Sequence, residues 1–403
     1  MANKFSANAS TIGYLYQIRF ALFVLLQKIE YNPNAQISIE KLDDVAFEKN
    51  DQPVELLQLK HHININKKAS LTNSSSDLWK TIRIWSEKLL EDPNVFQELF
   101  LVLVTTASAS QGSIASRLRH DGYRDEKKAL GKMLKVIEDT TSKDAQTQAC
   151  YNSFKQLSKQ QQQLLVSKIE VIDQSANILE IEQKIVKKLR LATPYPKALK
   201  SRLEGWWFER VVNHLMDEIH KPIRGEELQS QIDNILNELK PDNLPNDFPA
   251  LIKKDKSDLS SNELVFVAQL ELIELTDNRL RTAIGDYYRA FTQRTKWLSD
   301  GLIMPDELEK YETILIGEWQ RYFEIMKEEM GNNLPDENRM IELGKSIFKW
   351  AETSNHTPIR RDFSGDFARG SYHILSKDLK VGWHPEFQIR LGHLITQAVS
   401  QLV

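Results

Sequence analysis

Three carboxylates lie in the segment Ile39-Glu40-Lys41-Leu42-Asp43-Asp44-Val45, and fourteen residues beyond Asp44 comes Gln58-Leu59-Lys60. Carboxylates near the start of one strand, with an amide and an amine on the next, are the makings of a metal-dependent phosphodiesterase site. Glu40, Asp44 and Gln58 offer the hard oxygens that Mg²⁺ prefers, with Mn²⁺ as a substitute. Lys60 can orient a water or meet the charge that develops on a phosphate. Asp44 stands where the strand begins and is the better ligand candidate; Asp43, next to it, points elsewhere along a regular strand and is a supporting residue. Taken alone, Asp-Asp after a strand is usually a turn. A lysine in a leucine-rich strand is different, because burying it is costly unless it has a partner or a task. His61 and His62 point to opposite faces of a strand and cannot readily chelate one ion together. They flank the active strand, with His62 on the Lys60 face in a supporting role.

These residues need elements to hold them. Residues 11–30 read as a helix, capped by Ser10 and Thr11, with Ile12, Tyr16, Phe20 and Phe23 at helical spacing. Three strand-like segments follow, Ile37–Leu42, Val45–Glu48 and Val54–His61, with Asn50-Asp51-Gln52-Pro53 as the turn between the last two. A polar loop, Asn64 to Ser76, leads into a helix striped by Leu78, Ile82, Trp85 and Leu89. The apolar run within Glu98–Thr106 reads as a strand buried on both faces. Residues 125–140 and 150–170 read as amphipathic helices, and Gln160–Gln163 in the second as a solvated face. From Ser201 onward there is almost no strand signal, and an irregular stretch is expected around 355–385.

Composition sets wider limits. A chain of 403 residues has room for two or three domains. A net charge of -3 gives no global attraction to nucleic acid, so any DNA-binding surface must be a local patch. The single cysteine, Cys150, excludes an intrachain disulfide and a cysteine-built zinc site and suits a reducing compartment. No signal peptide and no run long enough to span a bilayer is evident, so a cytoplasmic protein without membrane contact is expected.

Gly13-Tyr14-x-Tyr16-Gln17, then Ile39-Glu40-x-Leu42-Asp43-Asp44-Val45, then Leu57-Gln58-x-Lys60-His61-His62, resembles the dsDNA endonuclease domain of bacterial antiphage systems. That domain is a branch of the restriction-endonuclease-like PD-(D/E)xK superfamily, and the order helix, three strands, helix, strand agrees with its core. In related Mrr-type enzymes a helix glutamate assists metal binding; Gln17 stands at that place here, which implies a supporting role. Gln58 replaces the usual acidic member of the (D/E)xK pair, which leaves more of the metal binding to Asp44 and Glu40.

Further along, Glu204-Gly205-Trp206-Trp207, Asn243-Leu244-Pro245-Asn246-Asp247-Phe248 and Ala283-Ile284-x-Asp286-Tyr287-Tyr288-Arg289-Ala290 with Gln293-Arg294-x-x-Trp297 are similar to the nuclease subunit of three-component ABC-ATPase defence operons such as Lamassu. The resemblance implies an SMC-like ABC ATPase partner, a small accessory subunit and self-association on activation. From spacing alone, Tyr287, Tyr288, Phe291 and Trp297 form the buried face of a helix. Nearby Arg281, Arg289, Arg294 and Lys296 read as a partner- or DNA-facing edge, or as a solvated face paired with acids such as Asp286. Of Trp206 and Trp207, about 100° apart on a helix, one can fill the core while the other covers an interface. Lys67, Lys68, Lys80 and Arg83, with Arg117, Arg119 and Arg124, are candidates for sequence-independent contacts to the DNA backbone.

The expected architecture is an α/β restriction-endonuclease-like (αβββαβ) nuclease domain over residues 1–200, core about 8–110, followed by a mainly α-helical regulatory, oligomerisation or partner-binding domain over residues 201–403. The expected function is a Mg²⁺-dependent endonuclease effector of an antiphage complex that cuts double-stranded DNA with little sequence specificity. Two alternatives stand beside it: a catalytically inactive nuclease-fold adaptor that binds DNA, and an RNA-directed nuclease of the same fold.

Overall fold

A computed structural model describes residues 8–50, 52–62, 69–250, 256–260, 263–330 and 336–400. The chain divides into two compact units, Met1–Asn234 and Ile235–Val403. The first unit begins with α1 (Asn8–Lys28), then β1 (Gln36–Ile39), β2 (Val45–Lys49), β3 (Gln52–Lys60), the short β4 (Ser70–Leu71), α2 (Ser76–Glu91), α3 (Pro93–Phe96), β5 (Phe100–Thr105) and the short β6 (Ser108–Ala109). It continues with α4 (Glu126–Glu138), α5 (Ala145–Lys155), α6 (Lys159–Lys168), β7 (Ile169–Ile172), α7 (Ile178–Leu189), α8 (Pro196–Met216), β8 (Ile223–Arg224) and the start of α9 (Gly225–Glu238).

Six strands form one mixed sheet in the order β7-β5-β3-β2-β1-β8. β5 runs parallel to both β3 and β7, and the β1–β2, β2–β3 and β1–β8 pairs are antiparallel. Lys49 pairs with Gln52, so Gln52 and Pro53, expected in the turn, belong to β3, and Asn50 takes a left-handed φ of 52°. Alternation along β3 divides its side chains. Leu56 joins Ala46, Leu101 and Leu103 in a core with Trp79, Ile82, Trp85 and Leu89 of α2 and Tyr151 and Phe154 of α5. On the opposite face Glu55 pairs with Lys28 of α1, and His61 stacks on Tyr16. Gln58 and Lys60 therefore share the α2 side at the C-terminal end of β3.

The expected boundary after residue 200 falls inside a packed element. α8 docks on the first unit: Trp207 Nε1 donates to Ile18 O at 2.8 Å, and Arg19 pairs with Glu204 at 2.7 Å. His214 Nε2 accepts from Ile39 N at 3.1 Å, which leaves its proton on Nδ1 to donate to Lys221 O at 2.9 Å. The expected helix over 150–170 is two helices and a strand. Ser158 starts α6 with a capping box to Gln161, and Ile169 and Val171 are buried in β7. Gln162, expected to be solvated, is buried and donates to Phe154 O at 3.3 Å.

The second unit contains α10 (Leu264–Leu272), α11 (Asp277–Ser299), α12 (Pro305–Met330), α13 (Glu337–Thr353), α14 (Phe367–Lys377) and α15 (Phe387–Ser400). α14 lies within the stretch expected to be irregular; it is buried on nearly all sides, with Phe367, Tyr372 and Leu375 in the core and the buried Ser371 and Ser376 hydroxyls bonded back to its own carbonyls. Among the described residues no helix is long and apolar enough to cross a membrane.

His373 is buried among Phe266, Phe348 and Trp383, and its Nδ1 has no hydrogen-bond partner. Burial pushes its pKa down to about 3. Above pH 6.5 the ring is neutral whether folded or not; below it, the unfolded chain takes up a proton that the folded unit refuses, and the loss continues until the folded ring protonates near 3. Lowering the pH from 6.5 to 5 should therefore cost this unit about 2 kcal/mol in chemical denaturation, a loss that His373→Phe should reduce.

Candidate functional site

The candidate site forms where β1 ends, β2 begins and β3 ends. Val45 pairs with Leu57, so Asp44 stands level with the Gln58–Leu59 step. Asp44 Oδ2 accepts from Leu59 N at 2.6 Å, which pins the carboxylate to the end of β3. Glu40 closes the turn from β1 with a left-handed φ of 55°, and its N donates to Asp44 O at 3.3 Å. Partial desolvation, then the charges of Asp44 and Asp43, raise the Glu40 pKa; a hydrogen bond from Gln17 and the Lys60 ammonium pull it down. Gln17, Glu40, Asp44 and Lys60 thus form one electrostatic neighbourhood.

Gln58 is 2% exposed, and its Oε1 has no hydrogen-bond partner. A buried amide oxygen without a donor is costly and is a ready ligand for a hard cation. Level with Asp44 across the β2–β3 pair, it would add a third oxygen to the Glu40 and Asp44 carboxylates in a donor set of the kind Mg²⁺ uses. Among the described residues no three His, Cys, Asp or Glu side chains form a metal-binding group, so the candidate depends on the amide as its third oxygen. Lys60 is half-buried at the end of β3, opposite Thr105.

Asp43 turns away from this set. Its Oδ2 accepts from Trp85 Nε1 at 2.8 Å and its Oδ1 from Asp44 N at 3.0 Å. Burial, reinforced by the Asp44 charge and opposed by those hydrogen bonds, pushes its pKa up to about 6. His62 Nε2 lies 3.0 Å from Asp77 Oδ2, and its backbone N donates to Thr106 Oγ1 at 2.9 Å, which ties the end of β3 to α2 and to the segment after β5. His61, read only as a flank from sequence, stacks on Tyr16 with ring centroids 4.4 Å apart, and neither ring nitrogen has a hydrogen-bond partner. Burial, with His62 beside it, lowers the His61 pKa. Tyr16 is fixed in turn by its hydroxyl, which donates to Ala176 O at 3.1 Å. The aromatic at Tyr16 beside Gln17 was the available sequence signal for this support.

The proposed backbone contacts divide. Lys67 and Lys68 lie outside the described residues. Arg83 pairs with Glu87 at 2.7 Å, on a side of α2 about 200° from the Trp85 side chain that bonds Asp43. Lys80 is exposed near Asp144, at the α2–α5 seam. Neither of these two joins the carboxylate cluster. Arg124 donates to Leu118 O and Ile169 O, and Arg119 lies 3.5 Å from Asp173, so both brace the fold. Trp207, 1% exposed, is core and not interface; Trp206 is half-buried against it. The exposed apolar side chains of α8 are Phe208, Val212, Leu215 and Met216.

In the second unit Tyr287, Tyr288 and Trp297 are buried as their spacing predicts, whereas Phe291 is 47% exposed. Arg289 pairs with Asp286, Arg294 with Glu312 and Lys296 with Asp300, so these cations are matched by acids as one reading expected, but at largely buried positions and not on a solvated face. Trp297 Nε1 donates to Pro245 O at 2.8 Å, and Gln293 exchanges hydrogen bonds with Asp247, N to Oε1 at 2.8 Å and Nε2 to Oδ2 at 2.9 Å. Two of the motifs singled out in the sequence therefore clasp each other.

The chain thus joins an α/β unit that carries a carboxylate–amide–lysine cluster to a helical unit. Residues 266–391 of that helical unit match the family described as C-terminal domain 7 of the ABC-three component (ABC-3C) systems. No curated protein sequence matches the chain. Among solved structures it is similar to the Cap4 SAVED/CARF-domain containing receptor of Acinetobacter baumannii with the cyclic trinucleotide 2′3′3′-cAAA, at 15% identity and a TM-score of 0.33, covering 56% of this chain and 45% of that one. A further structure of that receptor gives 14% identity, a TM-score of 0.33, and 56% and 47% coverage. The chain spans about half the length of this receptor, and a score at that level does not define a shared fold.

The Trp85–Asp43 bond supplies a direct readout of the buried carboxyl. The Trp85 indole N–H resonance should titrate with a midpoint near 6, the pKa to which Asp43 is pushed. Asp43→Asn should abolish that titration and leave the other indole resonances unchanged.

Proposed function

We propose that this protein is a metal-dependent endonuclease and the effector of an antiviral ABC-three component system. The single observation that carries the catalytic reading is the buried, unpartnered Gln58 Oε1 on the strand position level with Asp44, with Lys60, which acts on Glu40, two residues along the same strand. The match to an ABC-three component C-terminal domain supports the defence role. The order of helix, strands, helix and strand, together with the Gln58-x-Lys60 spacing, supports a PD-(D/E)xK-type site in which Gln replaces the acidic residue.

In this reading Glu40, Asp44 and Gln58 hold Mg²⁺, or Mn²⁺ in its place. The ion supplies Lewis-acid stabilisation of the charge that builds on the scissile phosphate. Lys60 places its ammonium at the end of β3 to orient the attacking water and to meet charge on the phosphate oxygens. Gln17 fixes the Glu40 carboxylate by the hydrogen bond between them. The Leu59 N–H holds Asp44 in one orientation, so neither carboxylate must reorganise during the reaction. One such site cuts one strand; a double-strand break needs two protomers or two events. Self-association is therefore a natural means of activation, and the ABC ATPase and accessory subunits are the partners expected to restrain or release it.

Plasmid cleavage by the purified protein with Mg²⁺, alone and with its system partners, tests this reading over a range of protein concentrations. Asp44→Ala and Lys60→Ala should each lower cleavage by at least about a hundredfold, whereas Gln58→Glu should retain it. A steep dependence on protein concentration would support activation by assembly, and competition by RNA would redirect the substrate assignment. Absence of cleavage under every condition, with phage defence intact in both alanine variants, would overturn the catalytic reading and leave a binding adaptor.

A further inference from the structure

A cavity of about 590 Å³ opens where β1, β8 and the turn after α8 meet. Lys41, Arg210, Lys221 and Arg224 line it with one carboxylate, Glu227. Part of that charge is matched: Arg210 lies 2.8 Å and Arg224 3.5 Å from Glu227, and Lys41 lies 3.1 Å from the buried Glu48. The lining itself carries four cations and one carboxylate, and with Glu48 beside Lys41 and Asp217 beside Lys221 counted, one positive charge remains in excess in a chain whose net charge is -3. Like charges gathered in a walled cleft concentrate ions of the opposite sign.

The walls add specificity to the charge. Gln36 is part of the lining, and its Oε1 has no hydrogen-bond partner. Asp217 shapes the turn after α8 by accepting from Ile219 N at 3.1 Å and Lys221 N at 3.4 Å, while His220 takes a left-handed φ of 48°. The turn so fixed brings Ile219 and Pro222 to the cavity as apolar surface beside the cations.

We propose that this cavity binds a nucleotide-sized phosphorylated ligand. Lys41, Lys221 and Arg224 meet phosphate oxygens, and Arg210 is held in place by Glu227. The volume falls in the range of small-ligand sites, and a confined concavity suits a discrete ligand better than the extended groove that tracks a nucleic-acid backbone. The cavity borders the carboxylate cluster at Lys41, which directly follows Glu40, and extends along β1 to Gln36, about 13 Å from Glu40 at the rise of a strand.

Isothermal titration calorimetry of the full chain in EDTA, with ATP, AMP and inorganic pyrophosphate as probes, tests the assignment without any nuclease readout. At least one probe should bind saturably below millimolar concentration, and Lys221→Glu and Arg224→Glu should each weaken it about tenfold or more at an unchanged melting temperature. Lys221→Gln, a milder change on an exposed side chain, serves if the charge reversals fail to fold. Short duplex DNA should not displace the probe. No binding of any probe at millimolar concentration, binding indifferent to these substitutions, or displacement by duplex DNA would each overturn the proposal, the last by making the cavity part of a DNA track.

Discussion

The hydrogen bond from Leu59 N to Asp44 Oδ2 fastens the beginning of β2 to the end of β3, and the candidate site depends on it. Without it, Asp44 would be a turn residue with a free rotamer. With it, a carboxylate oxygen is fixed beside the strand end that carries Gln58 and Lys60. The left-handed turn at Glu40 and the His214 bridge to Ile39 bring β1 to the same place from the other side. This end of the sheet is also where the parallel strands β3 and β5 finish, the position at which α/β sheets commonly place ligands.

The second unit is built on different physics. Its core is aromatic and helical, and its close contacts depend on a small residue where helices meet. A Cβ at Gly370 of α14 would lie 2.1 Å from Asp286 O of α11, so these helices could not pack as they do with a larger residue there. Buried indoles reach backbone carbonyls, Trp297 to Pro245 and Trp319 to Gly382, which fixes the loops as firmly as the helices. The Gln293–Asp247 pair joins two segments 46 residues apart and accounts for both motifs by structure alone.

Strong local signals made much of this legible. The stripe of Leu78, Ile82, Trp85 and Leu89 marks α2 because one face of that helix fills the core, and the apolar run of β5 marks a strand covered on both sides. β7 and β8 were missed for a physical reason. Each is only a few residues long, and pairing with β5 and β1 makes them strands, which no local pattern records. The same holds for the extension of the first unit to residue 234, since the bonds of Trp207 and His214 to α1 and β1 span more than 170 residues. In the candidate site the residue types and spacing of Glu40, Asp44, Gln58 and Lys60 could be read directly. The orientation of Asp43 toward Trp85 and the stacking of His61 on Tyr16 could not, because each depends on a partner from another element, whereas the engagement of Arg83 by Glu87 is an i,i+4 pair open to reading.

In the proposed site Gln58 would complete a divalent-cation set with Asp44 and Glu40. Electron paramagnetic resonance of Mn²⁺ titrated into the full chain tests it without substrate, partners or turnover. The account predicts a single class of bound Mn²⁺, competed by Mg²⁺, that is weakened by Gln58→Leu and lost in Asp44→Ala while both proteins keep the wild-type melting profile. Mn²⁺ that stays free in the wild type, or binds equally well to all three proteins, would contradict it.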